Sequence, residues 1–121
     1  MIANGAVYPR MDGQVIFKHA VVKLSEVVHE ALRHNKLALE DIDHFLFHQA
    51  NLRINEFVAG SLRIPEGKVY DNIEKYGNTS AGAIPIVLDE LLEMGRVKEG
   101  HRLLMAGFGS GFIWGSCLIR W

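Results

Sequence analysis

His48 and Asn78 are the two residues of this 121-residue chain whose type and placement best suit catalysis. His48 opens His48-Gln49-Ala50-Asn51 at the end of the apolar run Phe45-Leu46-Phe47. Asn78 stands 30 residues later in Gly77-Asn78-Thr79-Ser80, just ahead of an apolar, helix-like stretch. A neutral imidazole and a carboxamide each donate an N–H without ionising. Together they can hold a carbonyl oxygen that is gaining negative charge. A third element, Gly107-Phe108-Gly109-Ser110-Gly111, is a glycine-rich run whose backbone N–H groups can be left open to a ligand. What the chain lacks beside these groups is a nucleophile.

Each piece also has an ordinary role. A histidine ending a buried strand commonly serves structure, and asparagine in such a turn commonly serves the turn, because it tolerates the left-handed region. Both are expected here to follow strands of an α/β layout, where sites form beyond the carboxyl ends of strands. That placement favours one shared site. His44 and His48 lie four apart on an expected strand, which separates them by roughly 13 Å and prevents a shared metal ion. The glycine-rich run is not a dinucleotide loop, since only ten residues follow Gly111 and a helix and strand would have to fit there. Cys117 falls in an expected strand core with no basic neighbour, and reads as structural rather than nucleophilic.

The elements that must position these groups follow from periodicity. From Val15 to His34, Phe17, Ala20, Val21, Leu24, Val27, Val28, Ala31 and Leu32 repeat at helical spacing, with Asn35 as a stop. Lys18, Lys23, Glu26, Glu30 and Arg33 fall between them, toward solvent. A short turn over Leu39–Ile42 leads into a strand at His44–Phe47. Arg53–Leu62 reads as a helix ended near Ile64-Pro65, and Val69-Tyr70-Asp71 as a short strand. Thr79 or Ser80 can cap a helix running to about Met94, with Gly95 at its end. Pro85 is tolerated there only near the first turn or at a kink. Leu103–Ala106 and Ile113–Arg120 close the chain as strands, the last pair antiparallel. The pattern predicts one layered α/β domain over residues 1–121, irregular over 1–12, with a mixed sheet of four to five strands and helices on its faces.

Composition narrows the partners. A net charge of −1 gives no electrostatic pull toward nucleic acid or an anionic membrane surface. Hydrophobic residues at 49% and charged residues at 22% describe an ordinary globular balance. One cysteine excludes an internal disulfide and fits a reducing compartment. Neither a signal peptide nor a membrane-length apolar stretch is visible, so a cytoplasmic location is expected.

Five segments carry a family resemblance: Tyr8-Pro9-Arg10-Met11-Asp12-Gly13, Val15-Ile16-Phe17-Lys18, His48-Gln49-Ala50-Asn51-Leu52-Arg53-Ile54, Gly77-Asn78-Thr79-Ser80-Ala81, and Gly107 through Gly115. In order and spacing, the chain from Tyr8 to Trp121 resembles the C-terminal portion of β-ketoacyl-acyl carrier protein synthase III. The resemblance implies half of a thiolase-like fold. It implies an acyltransferase that moves an acyl group from acyl-CoA to a cysteine, then condenses it with malonyl-acyl carrier protein, releasing carbon dioxide. In that scheme His48 and Asn78 bind the malonyl thioester carbonyl, and the backbone N–H of Ser110 serves the oxyanion of acyl transfer. Phe17, Ala50 and Asn51 match substrate contacts, and Lys18 and Arg53 match basic positions that dock the acidic carrier protein. No cofactor or metal is implied. The family's cysteine lies in its N-terminal half, which this chain does not contain.

Two classes of function therefore stay open. One is the C-terminal half of the transferase, inactive by itself and acting with the N-terminal half in a homodimer. The other is a non-catalytic carrier-protein-binding or assembly subunit. A chalcone-synthase-like or thiolase-like condensing enzyme shares the cysteine–histidine–asparagine logic but not the His-Gln-Ala-Asn sequence.

Overall fold

The computed structural model describes residues 10–121. Tyr8 and Pro9, and most of the irregular segment expected over residues 1–12, lie outside the described residues. Helix α1 (Gly13–Asn35) begins where the Asp12 carboxylate accepts the N–H groups of Gln14 and Val15, each at 3.1 Å. That side chain satisfies two of the donors a helix start leaves open. Its buried stripe is Ala20, Val21, Leu24, Val27, Val28 and Leu32, as the helical spacing predicts. Lys36 takes the left-handed region at φ 54° and returns its N–H to Arg33 and Leu32, which ends the helix.

Strand β1 (His44–Phe47) is followed by α2 (Leu52–Leu62), the short α3 (Ile73–Tyr76), α4 (Ala83–Glu93), β2 (Arg102–Gly109) and β3 (Ile113–Arg120). The sheet order is β1-β2-β3. β1 runs parallel to β2, with His44 opposite Leu103 and Phe47 opposite Ala106. β2 and β3 form an antiparallel hairpin from Arg102↔Arg120 to Gly109↔Ile113.

Alternation across the pleat sends β1 side chains to two cores. Phe45 and Phe47 join Leu104 and Ala106 beneath α1 and α2. Leu46 joins Leu103 beneath Val87 and Leu91 of α4. With helices on both faces, all four β1 residues are buried. Burial of each such large apolar side chain contributes about 1.5–3 kcal/mol.

Four expectations need correction. The sheet has three strands, not four to five. Val69 makes only an isolated parallel bridge to Phe45, because Asp71 and Asn72 turn their polar groups to side chains of other elements instead of to a ladder. Asn78 follows a helix, α3, not a strand. Neither Thr79 nor Ser80 caps α4 with its side chain: Ser80–Gly82 form a 3₁₀ turn and the α-helix starts at Ala83. Pro85 therefore sits in the first turn of α4, where its missing N–H is no loss. Cys117 is exposed: β3 is the last strand of the sheet, and Cys117 alternates with Trp114 and Ser116, the residues that face α1.

Candidate active site

His48 continues the parallel ladder one step beyond β1 by donating its backbone N–H to Ala106 O at 2.9 Å. That step sets its side chain beside the end of β2. A Cβ built on Gly107 would stand 3.7 Å from the Cβ of His48. The residue is half-buried, and burial pushes its pKa below the ordinary 6.5. The imidazole is then neutral at physiological pH, with one ring N–H to give. No hydrogen bond to that ring is present among the described residues, so the donor is free.

Gln49 is fully buried and fully used. Its Nε2 donates to Phe47 O at 2.9 Å and to Asp71 Oδ1 at 3.0 Å, and its Oε1 accepts the backbone N–H of Asn72 at 3.1 Å. Asn55 of α2 donates to the same Asp71 oxygen at 2.6 Å. The segment leaving β1 is thereby bound to the segment entering α3. Gln49 thus has its donors and its acceptor met, as a buried amide requires, whereas the buried Asn55 Oδ1 has no hydrogen-bond partner.

Asn78 is exposed, in the connection from α3 to the 3₁₀ turn. Its Oδ1 accepts the Ser80 backbone N–H at 2.9 Å. With the oxygen held, the side chain's remaining group is its Nδ2, a donor. Ser80 sits at φ 54°, a left-handed conformation uncommon for serine. Ser110 is exposed in the turn between β2 and β3.

The remaining expected contacts are more dispersed. Asn51 caps α2, its Oδ1 accepting the Arg53 N–H at 3.0 Å, and Ala50 beside it is exposed. Phe17 of α1 packs edge-on against Phe57 of α2 with ring centroids 5.8 Å apart. Lys18 and Arg53 are exposed. His48 and the glycine-rich strand end are brought together. No hydrogen bond joins His48 directly to Asn78 among the described residues; Gln49 and Asn72 link their segments. His44 turns its Nε2 to Arg96 O at 3.0 Å, and no cluster among the described residues is arranged to hold a metal ion.

The sequence reading missed Asp71, Asn72 and Glu90. Glu90 carries a signal: it interrupts the buried stripe Ala83, Val87, Leu91 of α4, a charge where the helical repeat wants an apolar side chain.

Comparison with known proteins decides the family. The family model described as 3-oxoacyl-[acyl-carrier-protein (ACP)] synthase III C terminal matches residues 32–121. The chain belongs to this family. Among synthase III relatives, the β-ketoacyl-[acyl-carrier-protein] synthase III of Koribacter versatilis is 46% identical over 114 residues, covering 94% of this chain and 34% of that protein. The Clostridium tetani synthase III is 48% identical over 111 residues, covering 92% of this chain and 33% of that protein. The crystal structure of 3-oxoacyl-[acyl-carrier-protein] synthase III from Aquifex aeolicus superposes with a TM-score of 0.91 at 45% identity, over 94% of this chain and 37% of that one. The fold is thus thiolase-like. The chain spans about a third of the length of the curated relatives it matches.

Proposed function

We propose that this segment supplies the oxyanion donors of a 3-oxoacyl-acyl carrier protein synthase III, in a decarboxylative condensation of acyl-CoA with malonyl-acyl carrier protein. The observation that carries the reading is the state of the two donors: a neutral His48 with a free ring, and an Asn78 whose oxygen is already engaged by Ser80. One imidazole N–H and the Asn78 Nδ2 then grip the malonyl thioester oxygen. The bond from the α-carbon to the carboxylate breaks, carbon dioxide leaves, and its electron pair forms an enolate stabilised by the two donors. The enolate carbon attacks the acyl group on a cysteine contributed from outside this chain, and the thiolate departs.

Other groups take supporting parts. The Ser110 backbone N–H faces the oxyanion of acyl transfer; Phe17, Ala50 and Asn51 contact the substrate arm; Lys18 and Arg53 meet the acidic carrier protein. The reaction uses no cofactor, and the working enzyme is a cytoplasmic homodimer of full-length chains.

The test uses the synthase bearing this segment. His48→Ala and Asn78→Ala each lower carbon dioxide release from malonyl-acyl carrier protein by about 10²–10³. Acyl transfer from labelled acyl-CoA to the cysteine persists in both. The 121-residue chain by itself shows no condensation. Unchanged decarboxylation in the two variants would overturn the reading and leave a carrier-binding or assembly module.

A further inference from the structure

A carboxylate has no evident place in an apolar helix face, yet Glu90 of α4 is only 6% exposed. Burying a charge is unfavourable unless hydrogen bonds and opposite charge replace the lost water. Glu90 is so compensated. Its Oε2 accepts from the Tyr70 hydroxyl at 3.1 Å and from Asn72 Nδ2 at 2.9 Å. Its Oε1 accepts from the Tyr76 hydroxyl at 3.0 Å and from the Lys75 ammonium. Lys75 foremost, then Asn72 and the tyrosines, hold the carboxyl down to about 2 against the opposing effect of burial.

The origin of those donors is informative. All four come from residues 70–76, immediately before the loop that carries Asn78. Glu90 stands on the helix that begins immediately after that loop, at Ala83. The carboxylate therefore binds the segment before the loop to the second turn of α4, below the loop. Asn72 adds a second link, since its backbone N–H is bonded to Gln49, the neighbour of His48. A continuous path runs from His48 through Gln49, Asn72 and Glu90 to Tyr76, two residues short of Asn78.

We infer that Glu90 is a positioning residue that fixes the Asn78 carboxamide relative to the His48 imidazole, a role that rests on the donor function proposed above. Two donors serve a developing oxyanion only if their separation is set before the charge appears. Asn78 itself is exposed and held locally by one bond to Ser80. Rigidity must reach it from the base of its loop.

The experiment places Glu90→Gln and, separately, Tyr76→Phe in the synthase bearing this segment. Glutamine keeps the shape but presents an NH₂ where two donors converge. Tyr76→Phe removes one clamp bond and leaves the buried carboxylate with three partners, so it folds even if Glu90→Gln does not. Both variants are expected to lower kcat for malonyl-acyl carrier protein decarboxylation, Glu90→Gln by roughly ten- to a hundredfold. The KM and the acyl-transfer rate stay at wild-type values. Amide hydrogen exchange at residues 77–80 accelerates by roughly tenfold, as one or two lost hydrogen bonds imply, while β1 and β2 keep their protection. Faster exchange with an unchanged kcat would show a merely structural clamp and overturn the inference, as would unchanged exchange. His48→Ala is run alongside: if it decarboxylates normally, the donor reading has failed, and the exchange data still decide whether Glu90 orders the loop.

Discussion

Glu90 also determines how acid acts on the fold at the level of a single residue. Its carboxyl is held at about 2 against an ordinary 4.5. As pH falls below 4.5 the unfolded chain takes up this proton and the folded chain does not, so folding becomes less favourable until about pH 2. Its contribution is complete above that window and absent below it. In urea titrations at stepped pH, the stability of the native chain should fall across the window, and Glu90→Gln should flatten that fall. A variant curve parallel to the native one would refute the assignment. His48 and Asn78 drew attention in the sequence because short motifs of unusual residue type mark them. Glu90 was harder to see, since its meaning depends on partners 14–20 residues earlier that no local spacing reveals. Gln49 is similar: it stands within the quoted motif, but its tie to Asp71 crosses 22 residues.

The three long helices, α1, α2 and α4, were the most readable elements, because each carries an apolar stripe, whereas the cap expected for α4 was wrong and the short α3 was not expected. α1 shows this best, with most of its expected stripe buried, although the Asp12 cap that sets its start was not among the expectations. Asp12→Ala should weaken the fold by about 1 kcal/mol, seen as a lower urea midpoint by circular dichroism. Glu30→Ala, on the exposed face of the same helix, should stay within about 0.5 kcal/mol; equal losses would dismiss the cap. Strands were read less well, because pairing is decided by distant residues. Val69-Tyr70-Asp71 has strand-like composition, yet after Val69 its polar groups find better partners in Gln49, Asn55 and Glu90. The hairpin was read correctly in sense and in the extent of β3, Ile113–Arg120, but β2 runs over Arg102–Gly109, longer than the Leu103–Ala106 expected. Its edge position was not visible, and so Cys117 was expected inside.

For the molecule as a whole, the exposed apolar side chains matter most. Met11 is 78% exposed and Ile113 69%, and Val15, Val22, Phe112 and Trp114 are each exposed by two-fifths or more. They lie along α1 and the β2–β3 hairpin, and β3 has a second edge that no strand pairs among the described residues. Apolar surface beside an open strand edge favours association. The 121-residue chain should therefore self-associate, giving a light-scattering mass above that of one copy. A stable monomer at high micromolar concentration would contradict this. The sheet register has another result, felt during translation. β1 lies early in the chain, but its strand partner lies 59 residues downstream. Until residues 102–109 are available, Phe45, Leu46 and Phe47 have no strand of the sheet to pair with beyond the isolated bridge to Val69, and loop closure over that distance slows the search. The nascent polypeptide must keep those side chains from aggregating until β2 emerges, and a stop before Arg102 leaves β1 without its strand partner.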